Sequence, residues 1–328
     1  MKSRDHARRR VLLAALGAGG AAALPFPTRA QAWPAKPIRI VIGFPPGATS
    51  DILARTIGEK ISPALGQPVI VEHKPGASTT IASQFVAKAP PDGYTWFINL
   101  ALHYQNQLLY KSLPYDIFRD FANVTDVCIS PVLLIVNGSN PAKTPKEFVE
   151  WGKGRRLSYA SWGNGSTGHL LGHLFAQRTG LDATHVAYKG GAAAVTDVVG
   201  GQVDYIIIDI GSTRSHLQSG RLRALGLFLD KRMPQAPDVP TMEEAGFSGM
   251  NIAGFYGMYA PAGTPREIVA RMASEVQKAL KSPEVAQRFY DFAFVPGGKD
   301  PEAFTKMVRD EYLRWEPIVK SVGVKLEL

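Results

Sequence analysis

The stretch Ile38-Arg39-Ile40-Val41-Ile42-Gly43-Phe44-Pro45-Pro46-Gly47-Ala48-Thr49-Ser50-Asp51 decides the fold class. An apolar run rich in β-branched residues is typical of a buried strand, and the Gly and Pro residues after it end that strand. Thr49, Ser50 or Asp51 can cap the helix that the apolar spacing from Ile52 onward predicts. The turn therefore lies at a helix N-terminus, where free backbone N–H groups and partial positive charge favour an anion.

The same order of strand, turn and helix recurs along the chain. A strand at 68–72 leads through a Gly/Ser/Thr turn to a helix at 81–88, and the segments 157–178, 185–199 and 203–219 repeat the pattern. Thr144 and Pro145 predict a further helix start, and two amphipathic helices close the chain. Such alternation predicts an α/β protein with mainly parallel sheets, whose ligands bind at the carboxyl ends of the strands.

Residues 1–32 have the features of an export signal. Lys2, Arg4 and the Arg8-Arg9-Arg10 run precede an apolar stretch, and Ala30-Gln31-Ala32 fits the small-x-small cleavage rule. The adjacent arginines also resemble a twin-arginine signal. The apolar stretch is too short for a spanning helix. We therefore expect a periplasmic protein, exported by the general or the twin-arginine route.

Charge and cysteine content narrow the function classes. The whole chain carries a net charge of +9, of which residues 1–32 contribute +5, so the remainder carries +4. No Lys/Arg cluster interleaved with aromatic residues is present, which argues against a nucleic-acid partner. Cys128 is the only cysteine, so an internal disulfide is excluded and the fold depends on its core.

The chemistry of the turns favours binding over catalysis. Hydroxyls and backbone donors dominate them, while Asp51 and Asp209 are their only acidic residues and Lys189 could add one positive charge. Turns with many donors and no group that activates a nucleophile suit an anionic ligand. Phe44, Tyr104 and Trp162 lie in candidate loops and could form the wall for an apolar ligand body, or belong to the core.

Three segments partly match motifs of enzymes. Residues 164–168 nearly match the nucleophile elbow Gly-x-Ser-x-Gly around Ser166, with Asp209 and His216 following in hydrolase order, but Asn164 replaces the first glycine. His169 and His173 have the spacing of two metal ligands but lack the glutamate of His-Glu-x-x-His. The turn at 43–50 lacks the lysine of a phosphate-binding loop. We expect no catalytic residue, no metal and no cofactor.

A series of motifs resembles the extracytoplasmic solute receptors of tripartite tricarboxylate transporters, the Bug family. The motifs follow one another in family order from about Trp33 to the C-terminus, and are Gly43-Phe44-Pro45-Pro46-Gly47, Lys74-Pro75-Gly76-Ala77, Pro91-Asp92-Gly93-Tyr94, Leu113-Pro114-Tyr115-Asp116, Tyr188-Lys189-Gly190, Gly200-Gly201-Gln202-Val203-Asp204 and Pro261-Ala262-Gly263-Thr264-Pro265. The series is far more specific than any single motif.

The resemblance implies a type II periplasmic-binding-protein fold, with two α/β lobes joined by crossing strands and a ligand cleft between them. It implies lobe 1 at residues 33–131 and 253–328 and lobe 2 at residues 132–252. Carried over residue by residue, it names ligand-binding positions on both lobes. These are Phe44, Gly47, Ala48, Thr49, Ser50, Asp51, Gly76, Ala77, Ser78 and Thr79 on lobe 1, and Ser161, Gly163, Ser166, Thr167, His169, Lys189, Gly190 and Asp209 on lobe 2.

Two segments depart from the family pattern. The family usually continues Pro-Gly-Ala with Gly-Gly, where this chain has Ser78-Thr79, and it usually has small residues where this chain has 102–107. We therefore expect His103 and Tyr104, together with Phe44, to shape a pocket for an aromatic or longer carboxylate.

The resemblance implies a monomeric, non-enzymatic receptor that captures an organic carboxylate, either a dicarboxylate or an aromatic acid. Its expected partners are the membrane subunits of a transporter. Two alternatives stay open at this point. The first is a receptor of the same fold that signals to a sensor partner, and the second is an exported serine hydrolase that uses Ser166.

Overall fold

The computed structural model describes residues 33–323 and 325–327; the predicted export signal lies outside the described residues. A six-stranded sheet has the order β11 (Val295–Pro296), β4 (Phe121–Ser130), β10 (Gly254–Pro261), β3 (Thr95–Leu100), β1 (Ile38–Ile42) and β2 (Val69–His73). A five-stranded sheet has the order β7 (Asp182–Ala187), β6 (Arg156–Ser161), β8 (Tyr205–Asp209), β5 (Val132–Asn137) and β9 (Leu222–Leu227). The protein thus has two α/β lobes, as expected.

Ten α-helices within the described residues cover these sheets. They are α1 (Thr49–Leu65), α2 (Thr80–Ala87), α3 (Leu102–Leu109), α4 (Pro145–Gly152), α5 (Thr167–Thr179), α6 (Gly191–Val199), α7 (Arg214–Gln218), α8 (Arg266–Lys281), α9 (Pro283–Asp291) and α10 (Pro301–Val322), and a 3₁₀ turn at Ala77–Thr79 precedes α2. The predicted cap of α4 is confirmed, since Thr144 accepts the N–H of Glu147 at 3.2 Å. No helix in this part of the chain is long and apolar enough to cross a bilayer.

The expectation of mainly parallel sheets was wrong, because both sheets are mixed. β1 runs parallel to β2 and β3, but β10 is antiparallel to β3 and β4. In the second sheet β6 runs parallel to β7 and β8, but β5 is antiparallel to β8 and β9. The antiparallel strands are those by which the chain passes between the lobes: β4 leads into β5 through Pro131, and β10 returns to the first sheet. Neighbouring parallel strands need a long crossover connection, usually a helix, whereas antiparallel strands do not.

Alternation along the strands places apolar side chains on both faces of each sheet. Ile38, Ile40 and Ile42 pack under α1, α8 and α9, while Val41 faces the opposite side. That opposite side shares one continuous core with lobe 2, because α10 packs against both α3 and α5. The lobes are therefore anchored together on one side of the molecule, and the carboxyl ends of β1, β3, β6 and β8 face each other near the crossing strands.

Candidate functional site

The first loop of lobe 1 is held in shape by Asp51. The N-cap of α1 is Ala48, whose side chain cannot cap, so the expectation of a cap at Thr49, Ser50 or Asp51 was wrong. Asp51 lies in the first helical turn and accepts the N–H of Gly47 at 2.9 Å, while Arg55 Nε and His73 Nε2 lie 2.9 and 2.8 Å from its Oδ1. Burial raises the pKa of Asp51, but these hydrogen bonds together lower it. Asp51 therefore stays ionised and fixes the loop.

The second loop of lobe 1 has an unusual backbone. Ala77, Ser78 and Thr79 all have positive φ, at 44°, 50° and 72°. This region costs a residue with a side chain about 1–2 kcal/mol, so the surrounding structure must hold it. Asn106 Nδ2 donates to the Ser78 carbonyl at 2.7 Å, and Asn99 Nδ2 donates to Thr79 Oγ1 at 3.0 Å. These bonds hold the loop at the start of α2.

Lobe 2 contributes two more helix N-termini and one carboxylate. Ser166 caps α5, since its Oγ accepts the N–H of His169 at 3.3 Å, and Gly190 precedes α6. Asp209, at the end of β8, accepts from the N–H and Oγ of Ser212 at 2.8 and 2.9 Å. Burial raises the pKa of Asp209, and the bonds from Ser212 offset part of that rise.

These loops surround one cavity of about 770 Å³ between the lobes. Fourteen of the predicted ligand-binding residues line it: Phe44, Ala48, Thr49, Ser50, Gly76, Ala77, Ser78 and Thr79 from lobe 1, and Gly163, Ser166, Thr167, Lys189, Gly190 and Asp209 from lobe 2. The N-termini of α1, α2, α5 and α6 all open onto the cavity. Each carries partial positive charge and unpaired N–H groups.

The remaining predicted residues do not line the cavity: Gly47, Asp51, His103, Tyr104, Ser161 and His169. Gly47 and Asp51 hold the first loop from behind, as described above. Ser161 and His169 are buried under the Trp162–Ser166 segment of lobe 2. Their positions are one layer behind the surface that a ligand would touch.

The expectation that His103 and Tyr104 shape the pocket was wrong. Both lie on the side of α3 that faces the core, where the His103 ring meets Phe121 at 4.6 Å and Tyr259 at 4.3 Å between ring centroids. The ring of Tyr104 stacks on Phe255 at 5.5 Å. Burial lowers the pKa of His103 to about 3, so this imidazole is neutral. The cavity instead meets the start of α3, at Ala101 and Leu102.

Several cavity residues escaped the sequence-based prediction. They are chiefly Asn164, Ser212, Ser130, Phe255 and Tyr256. Asn164 and Ser212 belong to turns that had been identified, so the signal was present. Ser130, Phe255 and Tyr256 lie on the crossing strands β4 and β10, where strand residues resemble any core position. Trp162, considered earlier as a wall residue, does line the cavity.

The cavity is almost free of formal charge. Among the described residues that line it, two belong to the charged types Asp, Glu, Lys and Arg. They are Lys189, which is exposed, and Asp209. Anion binding there must rely on helix N-termini and hydroxyl groups. Ser50 is 2% exposed, and its Oγ has no hydrogen-bond partner among the described residues although it lines the cavity. A buried hydroxyl without a partner is costly, and a ligand oxygen would satisfy it.

The geometry gives no support to the enzymatic alternatives. Ser166 Oγ serves as a helix cap, and the histidine that bonds to a serine hydroxyl is His185, which pairs with the buried Ser161 at 2.7 Å. Asp209 is bonded to Ser212 and not to His216. Across residues 33–323 and 325–327, no group of three or more His, Cys, Asp or Glu side chains could hold a metal.

Comparison with known proteins agrees with this geometry. The profile of the family described as "Tripartite tricarboxylate transporter family receptor" matches residues 53–324. Protein BugT of Bordetella pertussis is 32% identical over 308 residues, which cover 92% of this chain and 94% of BugT. Two solved structures share the fold. The protein Rpa4515 of R. palustris with adipate has a TM-score of 0.82 and 34% identity, over 90% of this chain and 100% of that one. MatC from Rhodopseudomonas palustris with bound malate has a TM-score of 0.78 and 32% identity, over 88% and 100%.

Proposed function

The chain belongs to the tripartite tricarboxylate transporter receptor family, the Bug solute-binding proteins, and from this premise we propose that it captures an organic carboxylate in the periplasm and delivers it to the membrane subunits of a transporter. Members of this family are receptors and not enzymes. Two relatives were solved with adipate and with malate, which supports a carboxylate as the ligand class.

Helix N-termini from both lobes converge on a single cavity, and this arrangement is the main support for the proposal. α1 and α2 approach from lobe 1, and α5 and α6 approach from lobe 2. A carboxylate among them would accept hydrogen bonds from backbone N–H groups and from Ser50 Oγ, the buried hydroxyl without a partner. Because each lobe supplies donors, the ligand binds the closed arrangement more tightly than an open one, and this difference drives closure.

The walls of the cavity favour a dicarboxylate or an aromatic carboxylate. The aromatic residues Phe44, Trp162, Phe255 and Tyr256 line the cavity and offer apolar surface to a ligand. The volume of about 770 Å³ exceeds what a short aliphatic acid needs and lies within the range of small-molecule sites. We propose that a carboxylate binds at the helix N-termini and that the body of the ligand lies against these rings.

We also propose the lobe boundaries 33–131 with 253–328, and 132–252. Sheet membership supports them, because β4 ends at Ser130 and β5 begins at Val132, while β10 begins at Gly254. The export signal at residues 1–32 and a monomeric receptor complete the proposal. A monomer suffices because one chain supplies both halves of the cavity.

A thermal-shift screen tests carboxylate binding. The panel contains adipate, malate and benzoate, with amino acids and sugars as controls. A ligand at a hundredfold excess over its Kd stabilises the folded state by about 2.7 kcal/mol, which raises the Tm by a few degrees. We expect a response to a carboxylate that weakens in Ser50→Ala. A response to sugars alone would contradict the proposal.

Delivery needs its own experiment. Proteoliposomes that carry the membrane subunits of a tripartite tricarboxylate transporter should take up a radiolabelled carboxylate only when this protein is added. Uptake that is equal with and without the protein would refute delivery, and would favour the alternative in which the receptor signals to a sensor partner.

A further inference from the structure

The Trp162–Ser166 segment of lobe 2 is fixed by hydrogen bonds from residues behind it. Trp162, Gly163, Asn164 and Ser166 line the cavity. The N–H of Gly165 donates to Nδ1 of His169 at 3.0 Å, and the N–H of Gly163 donates to Ser161 Oγ at 3.2 Å. Gly163 and Gly165 have φ values of 145° and 75°. Glycine adopts these values without strain but also adopts many others, so hydrogen bonds are needed to fix the segment in this shape.

Two stacked histidines take part in these bonds: one accepts the N–H of Gly165, and the other is bonded to the hydroxyl that accepts the N–H of Gly163. The rings of His169 on α5 and His185 on β7 lie 3.7 Å apart between centroids, with 10° between their planes. Ser161 Oγ donates to the Gly163 carbonyl at 2.9 Å, so the 2.7 Å bond between His185 Nε2 and Ser161 Oγ has the imidazole as its donor. His169 thus holds Gly165 directly, while His185 holds Gly163 through Ser161. A single ring pair controls both glycines of the segment.

The bond from Gly165 determines the state of His169. A peptide N–H can only donate, so Nδ1 of His169 must carry a lone pair, and its proton must be on Nε2. The imidazolium form has an N–H on both nitrogens, and it would lose this bond. Two protonated rings at 3.7 Å would also repel each other.

The surroundings favour the neutral pair. Tyr159 on β6 stacks on His169 at 6.4 Å and is tilted against His185 at 5.0 Å between ring centroids, and His173 lies one turn further along α5. Within the described residues the one histidine–carboxylate contact at ion-pair distance is between His73 and Asp51, so no carboxylate lies close enough to His169 or His185 to stabilise a charge on either ring. Burial lowers the pKa of His169 to about 3, with added repulsion from His185 and His173, and burial lowers the pKa of His185 to about 4.

We propose that His169 and His185 are positioning residues for ligand capture: their neutral, stacked rings hold the Trp162–Ser166 segment in its cavity-facing shape, and protonation of His169 at Nδ1 breaks its bond to Gly165 and releases the segment. The effect on affinity rests on the proposed function, whereas the effect on the segment does not. The receptor would then hold its ligand at neutral pH and lose it in acid.

Nuclear magnetic resonance of the ligand-free protein tests the positioning role directly. At pH 7 we expect His169 as the Nε2–H tautomer. On acidification the Gly165 amide shift should move together with the imidazole shifts of the pair, at a pH well below the usual 6.5 of histidine. An Nδ1–H tautomer, or a His169 ring that titrates near 6.5 while the Gly165 amide stays unchanged, would overturn the proposal.

Calorimetric titration with adipate as the probe tests the effect on affinity. His169→Phe keeps a stacked ring but removes the acceptor, so we expect about tenfold weaker binding at pH 7.5. His169→Asn places an amide oxygen near the position of Nδ1, and it should restore binding and flatten the pH profile. The matched control is His173→Gln on the same helix, which should bind as the wild type does.

Two outcomes of the titration separate the proposals. Equal affinities of His169→Phe and wild type would overturn the positioning role. Absence of binding of adipate, malate and benzoate by the wild type at every pH would count against the proposed function, while the tautomer and the Gly165 amide would still decide the positioning role.

Discussion

Replacement of His103 by phenylalanine should stabilise the protein, and more so in acid. His103 is 1% exposed, and neither of its ring nitrogens has a hydrogen-bond partner among the described residues. Its neighbours are the rings of Phe97, Phe121 and Tyr259. A phenyl ring fits this aromatic cluster in shape and brings no buried polar atom that lacks a partner.

The magnitude has two parts. An unsatisfied buried polar group costs about 1–3 kcal/mol, so we expect His103→Phe to gain about 2 kcal/mol at pH 7. Burial lowers the pKa of His103 to about 3. Between about pH 6.5 and pH 3, His103 is therefore protonated in the unfolded chain and neutral in the folded chain. The free energy of unfolding falls as the pH drops through this range. At pH 5 this loss of stability in the wild type is about 2 kcal/mol, and His103→Phe does not suffer it. The stability advantage of His103→Phe over the wild type therefore rises to about 4 kcal/mol at pH 5.

Urea unfolding at pH 7 and pH 5 measures both parts. His103→Gln is the control, because it keeps a buried polar side chain that does not titrate; it should show the pH-dependent gain without the gain at pH 7. Ligand affinity should be unchanged in His103→Phe, since the ring lies outside the cavity. An equal stability difference at the two pH values, or a loss of stability in His103→Phe at both, would refute this reasoning.

Three further substitutions probe the loops and the core. Ser78→Gly should raise the free energy of unfolding by about 0.5–1 kcal/mol, because glycine adopts the φ of 50° without strain; chemical denaturation that shows a loss would contradict the strained loop. Asp126→Ala should lower the free energy of unfolding by about 3 kcal/mol, because the buried carboxylate accepts the N–H groups of Gly298 and Lys299 at 3.0 and 2.6 Å. A calorimetric Tm equal to that of the wild type would show that these bonds do not stabilise the fold. Thr144→Ala should lower the free energy of unfolding by about 1 kcal/mol because it removes the hydroxyl that caps α4, whereas Thr144→Ser keeps that hydroxyl and should be as stable as the wild type. Equal urea midpoints for the two variants would show that the cap does not contribute to stability.

Local periodicity predicted most of the helices and strands, and failed where tertiary context decides. β4 was missed because Asn123, Thr125 and Asp126 interrupt its apolar pattern, although the strand lies between β10 and β11 within a sheet. Strand direction also escaped prediction, since alternation of strands and helices does not reveal which strands carry the chain between the lobes.

The site was predictable where backbone chemistry defines it. Turns after strands and before helices were recognised from Gly, Ser and Thr, and these turns do meet at the cavity. His103 and Tyr104 were misplaced because the sequence does not show how α3 is rotated about its axis. His169 was assigned to the ligand, but the fold places it one layer behind, where its contact is a backbone N–H.

The measurement that most directly tests the central claim is calorimetric titration of the wild type, Ser50→Ala and Lys189→Gln with the carboxylate found by the screen. These two residues line the cavity from opposite lobes, and Ser215→Ala, at an exposed serine on α7, is the control. We predict one binding site per chain and about tenfold weaker binding in each cavity variant, with no change in Ser215→Ala. Equal affinities of Ser50→Ala, Lys189→Gln and the control would contradict a carboxylate site formed by both lobes.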